Sequence, residues 1–143
     1  MVTPVLLDTN VISAMRVRSQ QDVLFQRWVR GLDSETSFVS AMTLLELRSG
    51  VLKKSQKDKA QGAVLATWFE RTVAEYRART VVFDTASALV AAQIWQLRTR
   101  DTIDLMIAAT AMANGLTLVT RNTKDFADIP GLSLINPWEP VSS

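Results

Sequence analysis

The chain sets short, unbroken apolar runs against stretches with helical spacing, and that alternation limits its fold more than any other feature. Pro4-Val5-Leu6-Leu7 is continuous and apolar, as a strand buried on both faces must be. It stops at Asp8-Thr9-Asn10, three turn- and cap-forming residues, and Val11-Ile12-Ser13-Ala14-Met15 then reads as a helix. A second helix is expected over residues 21–32, where Val23, Leu24, Trp28 and Leu32 fall at helical spacing before Asp33-Ser34. Residues 36–39 read as a strand, and Ser40 caps a third helix that runs through Val51. A long amphipathic stretch covers residues 55–78, followed by the strand Val81-Val82-Phe83 and an alanine-rich helix from Asp84-Thr85 to Leu97. A last helix spans residues 102–114 and is closed by Gly115, with strands at 116–119 and 132–135. This pattern predicts an α/β fold, a three-layer α/β/α sandwich on a parallel sheet of four to five strands, as one domain over residues 1–143.

Composition narrows the chemistry. With 143 residues, 48% hydrophobic and 21% charged, the chain suits a globular domain with a real core. It has no cysteine, which excludes a disulfide framework, a thiol nucleophile and thiolate metal sites. It also has no histidine, which removes the commonest general base, serine–histidine triads and nearly every zinc site. A catalyst built from this chain must work with carboxylates, hydroxyls, amides, lysines or arginines. No apolar run is long enough to span a bilayer and no signal segment precedes Pro4, so a cytoplasmic location is expected. The net charge of +2 permits a polyanionic partner without demanding one. Arg48, Lys53, Lys54, Lys57 and Lys59 crowd one stretch opposed only by Asp58, either as a solvated helix face or as a phosphate-tracking rim. The tryptophans Trp28, Trp68, Trp95 and Trp138 are expected in the core or at a subunit contact.

In sandwiches of this kind ligands bind beyond the carboxyl ends of the strands, which singles out Asp8-Thr9-Asn10, Ser40, Asp84 and Thr120-Arg121-Asn122. Asp8 is either a helix cap or, if Thr9 or Asn10 takes that role, a free acid. Glu46 lies inside Thr43-Leu44-Leu45-Glu46-Leu47-Arg48, where a partly buried carboxylate needs an ion pair, hydrogen bonds or a metal. Asp104 falls in a first helical turn, where it either complements the dipole beside an Asp101 cap or serves a site. Asp125 follows the fourth strand and either holds its loop or joins the other acids. Oxygen ligands without histidine or cysteine suit Mg²⁺ or Mn²⁺.

Four segments carry a resemblance. Leu6-Leu7-Asp8-Thr9-Asn10-Val11-Ile12-Ser13, then Ser40-Ala41 with Leu45-Glu46-Leu47-Arg48-Ser49-Gly50, then Asp104-Leu105-Met106-Ile107-Ala108-Ala109, then Thr120-Arg121-Asn122-Thr123-Lys124-Asp125-Phe126 resemble, in order, the PIN-domain family. The ending Ile135-Asn136-Pro137-Trp138 is similar to its VapC/FitB branch, toxins of bacterial type II toxin–antitoxin pairs. The resemblance implies a metal-dependent ribonuclease in which Asp8, Glu46 and Asp104 are the central acids, with Asp125 as the nearby acid of the last motif. Asn122 stands where many members carry a further acid, and Leu97-Arg98-Thr99-Arg100-Asp101 replaces a longer segment containing glycine and proline. Thr9, Asn10, Ser40, Thr120 and Asn122 would shape the pocket, and Arg48, Arg121, Lys124 and also Arg98 or Arg100 would hold RNA phosphates. One or two Mg²⁺ or Mn²⁺ ions would offset the mutual repulsion of the carboxylates and activate water, giving 5′-phosphate and 3′-hydroxyl products. The implied partners are RNA, a cognate antitoxin that carries the DNA contact, and a second copy of the chain. Two other readings remain: a PIN-fold binding module without a metal site, and a receiver-like phosphoacceptor using Asp8 or Asp84 with Thr120 and Lys124.

Overall fold

The computed structural model describes residues 2–17 and 22–140. Five parallel strands form one sheet: β1 (Val5–Leu7), β2 (Ser37–Ser40), β3 (Thr80–Val81), β4 (Thr117–Val119) and β5 (Leu134–Ile135), in the order β3-β2-β1-β4-β5. Among the described residues six α-helices connect them: α1 (Thr9–Arg16), α2 (Val23–Arg30), α3 (Ala41–Lys57), α4 (Lys59–Glu75), α5 (Thr85–Trp95) and α6 (Thr102–Ala113). Parallel strands need crossovers, and a sheet covered by helices on both faces must be apolar on both.

Alternation along the strands divides two cores. Leu6 of β1 and Leu118 of β4 face Ile94, Leu105, Ile107 and Ala108 of α5 and α6. Val5, Leu7 and Val119 point the other way, into a core with Val11, Phe25, Val39, Leu47 and Tyr76. The three layers predicted from the apolar runs are therefore present. Trp28, Trp68 and Trp138 pack against the second core, and the Trp138 ring stacks on Phe25 with centroids 4.3 Å apart. Trp95 is the exception at 65% exposure.

Each helix starts on a side-chain cap. Asp8, Asp22, Ser40, Asp58, Asp84 and Asp101 all accept a backbone amide of the first turn. The end of α6 is equally legible: Gly115 adopts φ +64°, and the amides of Gly115 and Leu116 bond back to Met112 and Ala111.

Several boundaries differ from expectation. The third helix continues past Val51 to Lys57, so Ser55 belongs to α3 and not to the following helix. Asp58 makes the break, ending α3 in an extended conformation and capping α4 through the Gln61 amide at 3.1 Å. Lys54 and Lys57 therefore lie in the last turn of α3, where they complement the helix dipole. The third strand is Thr80–Val81, one residue earlier than expected and shorter, and α5 stops at Trp95. Gln21, the expected start of the second helix, lies outside the described residues.

Candidate active site

The site begins with strand register. Leu7 pairs with Val119, so the next residues, Asp8 and Thr120, leave the two central strands side by side. The Asp8 amide continues the ladder to the Val119 carbonyl at 2.9 Å. Asp8 is only 5% exposed, and both carboxylate oxygens are engaged. One accepts the Thr9 amide and the other the Thr120 hydroxyl, each at 2.8 Å. Of the two alternatives its position left open, Asp8 itself caps α1, and neither Thr9 nor Asn10 takes that role. An extended Asp directly before a helix reaches the first amide; Thr9 and Asn10 already lie within the first turn and turn elsewhere.

Thr9 Oγ1 donates to Glu46 Oε1 at 2.5 Å and lies 3.2 Å from the buried Thr43 hydroxyl. Asn10 Nδ2 donates to Thr120 Oγ1 at 3.3 Å, while its Oδ1 accepts the Arg121 amide at 3.2 Å. Thr120 Oγ1 accepts the Asn122 amide as well, at 3.1 Å, so this buried hydroxyl joins β1, β4 and the loop after β4. Ser40, fully buried at the end of β2, caps α3 through the Met42 amide at 3.0 Å and sets the start of the helix that carries Glu46.

The charges of four acids act on a fifth, Asp104, here. Glu46 is half-buried on α3 and, among the described residues, forms no ion pair with Arg48 or a lysine. Asp104 is half-buried in the first turn of α6, which Asp101 caps by accepting the Asp104 amide at 3.0 Å. Desolvation is the main cause that lifts the Asp104 carboxyl to about 6; the negative charges of Asp8, Asp101, Glu46 and Asp125 add to it. Burial also raises Asp8, with Glu46 adding to the effect and the Thr120 and Thr9 hydrogen bonds opposing it. Asp125 sits exposed in a single 3₁₀ turn, Thr123–Asp125, after β4. Among the described residues no three acids converge closely enough to grip an ion as they stand. The donor set nevertheless fits a hard divalent cation: oxygens only, like charges confined together, and two of them held above the usual carboxylate range.

The expected phosphate-holding cations divide into two groups. Arg121 lies over the Trp138 ring at 4.9 Å, and Lys124 is exposed on the turn beside Asp125. Arg48 is exposed on α3, its guanidinium 5.9 Å from the centre of Phe69. Arg100 does not belong with them: its side chain is 3% exposed and is bonded to Asp125 and Asp128. Arg98 is likewise turned to the Asp125 carbonyl, at 2.7 Å. Sequence reasoning missed Thr43, which carries no charge or motif signal, and Asp128, whose role depends on two arginines far from it in the chain. Asn136 was also missed; its side chain bonds the Arg121 carbonyl at 3.1 Å and accepts the Trp138 amide at 2.9 Å. Asp84 accepts both the amide and the hydroxyl of Ser87, and these bonds hold its carboxyl low. Its carboxylate caps α5 at an exposed position.

An open parallel sheet with acids beyond the carboxyl ends of its central strands is the frame of the PIN domain, and the PIN domain family matches residues 5–132; the chain belongs to that family. The VapC ribonuclease Y4jK of Sinorhizobium fredii is 33% identical over 149 residues, covering 96% of this chain and 99% of the relative. Toxin FitB of Neisseria gonorrhoeae is 34% identical over 142 residues, covering 94% and 98%. The crystal structure of FitAcB from Neisseria gonorrhoeae superposes with a TM-score of 0.82 at 33% identity, over 95% of this chain and 99% of that one. Within the family the chain is therefore of the VapC/FitB type, as its four ordered segments and its ending imply.

Proposed function

We propose that this protein is a divalent-metal-dependent endoribonuclease, the toxin of a type II toxin–antitoxin pair, acting as one domain in the cytoplasm. Asp8, Glu46, Asp104 and Asp125 would hold one or two Mg²⁺ or Mn²⁺ ions. The observation that carries the reading is that the charges of Asp8, Glu46 and Asp125, drawn from the end of β1, from α3 and from the loop after β4, act on Asp104 at the start of α6. Support for the substrate and the toxin role comes from the VapC and FitB relatives.

A bound divalent cation would supply positive charge at the scissile phosphate and lower the pKa of a water molecule. The chain's own groups do the rest. Thr120 and the Thr9 amide orient the Asp8 carboxylate, and Thr9 Oγ1 orients Glu46. Asp104 takes up the proton of the attacking water, and Asp125 orients that water. Arg121, Lys124 and Arg48 contact RNA phosphates, which positions the strand without reading its sequence. As the water oxygen bonds to phosphorus the P–O3′ bond breaks, the departing 3′-oxyanion takes a proton from solvent, and the ends are a 5′-phosphate and a 3′-hydroxyl. A second copy of the chain is supported by the uncharged helix α5, which exposes Leu89 at 68% and Trp95. An antitoxin would supply the contact with DNA.

The test is cleavage of a mixed RNA in Mg²⁺, Mn²⁺ or EDTA by the wild type, Asp8→Asn and Glu46→Gln. Cutting that needs metal and is abolished by both substitutions is expected. Cutting that survives EDTA or both substitutions would overturn the reading.

A further inference from the structure

The segment between α5 and α6 places two arginines against the loop after β4, and their bonds converge on one residue. Arg98 Nη2 and Arg100 Nη1 both donate to the Asp125 carbonyl, at 2.7 and 3.2 Å. Arg100 also forks onto Asp128, with Nη1 3.3 Å from Oδ1 and Nη2 2.6 Å from Oδ2, and Arg98 Nε stands 3.4 Å from Oδ2. Exposed arginine–aspartate pairs contribute little to stability, because water already solvates both charges and ordering two side chains has an entropic cost. This pair is different. The Arg100 side chain is 3% exposed, and its Nε is buried with no hydrogen-bond partner. A buried, unpaired donor is unfavourable, so a surface tether alone is a poor account of the arrangement.

Position supplies a better account. One residue after Arg100, Asp101 caps α6 by accepting the amide of Asp104. The residue gripped through its carbonyl, Asp125, closes the turn Thr123–Asp125 that follows β4, so the bond joins that turn to the chain one residue before the α6 cap. Because the grip is on the backbone, the Asp125 carboxylate is not consumed by it. We infer that Arg100, assisted by Arg98 and Asp128, is a positioning clamp that ties the Asp125 turn to the start of α6 and so sets how tightly Asp104 and Asp125 share a divalent cation. The inference rests on the metal-centre reading above. The planar fork is essential to it: a lysine ammonium is a point donor and would not span the Asp125 carbonyl and both Asp128 oxygens.

The test is calorimetric titration of the full chain with Mn²⁺, comparing wild type with Arg100→Gln, Arg100→Lys and Asp128→Asn. Supporting positions around metal sites typically alter affinity by about 10- to 100-fold, and a loss in that range is expected for all three variants. The Mn²⁺ concentration for half-maximal RNA cleavage should rise by the same factor, KM for RNA should stay constant, and saturating Mn²⁺ should restore the rate. Should Arg100→Gln fail to fold, Asp128→Asn alters an exposed partner and decides the matter. Folded variants that bind Mn²⁺ as tightly as wild type would overturn the clamp and leave the metal centre standing. A wild-type chain that binds no Mn²⁺ would overturn both.

Discussion

Asp104 connects local burial with a property of the whole chain. Its carboxyl, at about 6 when folded, binds protons more tightly than the ordinary value of 3.8, which represents the unfolded chain. Between these values the folded state holds more protons than the unfolded one, so stability falls as pH rises from about 4 to about 6 and then levels off. In EDTA, the melting temperature of wild type should decline across this window, and Asp104→Asn should remove most of the decline. An equal decline in both proteins would contradict the assignment. Thr120 gives a second prediction. Thr120→Val leaves a buried Asp8 oxygen without its donor, and a loss of about 1–3 kcal/mol in urea unfolding is expected. A loss within error would mean that the Asp8–Thr120 bond holds nothing together. At this scale sequence reading singled out Asp8 and Asp125 because they follow strands, Asp104 because it opens a helix, and Glu46 because it is an acid among leucines. It left the Asp8 cap open and did not find Thr43, Asp128 or the bonds of Arg98 and Arg100 to the Asp125 turn, since these last depend on partners brought near only by folding.

Among the elements, the α3–α4 hairpin has the tightest fit around a glycine. A Cβ on Gly62 would lie 2.3 Å from Ser55 Oγ and 2.5 Å from Ser55 Cα, a backbone atom that cannot step aside. Gly50 in α3 has nothing within 4 Å of the same position. Alanine favours helix over glycine by about 0.8–1 kcal/mol, so Gly50→Ala should stabilise the protein by an amount of that order. At Gly62 the clash opposes the same gain, and overpacking of this kind costs about 1–3 kcal/mol, so Gly62→Ala should destabilise. Thermal melts of the two variants check the opposite signs. The hairpin also explains the misplaced helix boundary. Residues 41–75 are helical except for Asp58, and one capping residue inside an amphipathic run gives little sign of a break. Caps between strands and helices are more legible, because the apolar pattern changes there, from continuous to helical at Ser40 and Asp84 and back again at Gly115.

For the molecule as a whole, the apolar runs were enough to predict a parallel sheet between helical layers. The strand order β3-β2-β1-β4-β5 was not predicted, because it depends on which crossover lies on which face. That order makes β1 and β4 central neighbours and so brings the first and last motifs together, joining Asp8 to Thr120 across 112 positions of sequence. No helix among the described residues is long and apolar enough to cross a membrane. The most direct test of hydrolysis at an acid-held cation uses an RNA with a single 2′-deoxy nucleotide on the 5′ side of its cleavage point, incubated with Mn²⁺ and analysed for its end groups. Attack by water needs no neighbouring 2′-hydroxyl, so the substituted strand should be cut, giving a 5′-phosphate and a 3′-hydroxyl, and Asp104→Asn should leave it intact. Failure to cut the substituted strand, with 2′,3′-cyclic phosphate ends on the unsubstituted one, would contradict the account.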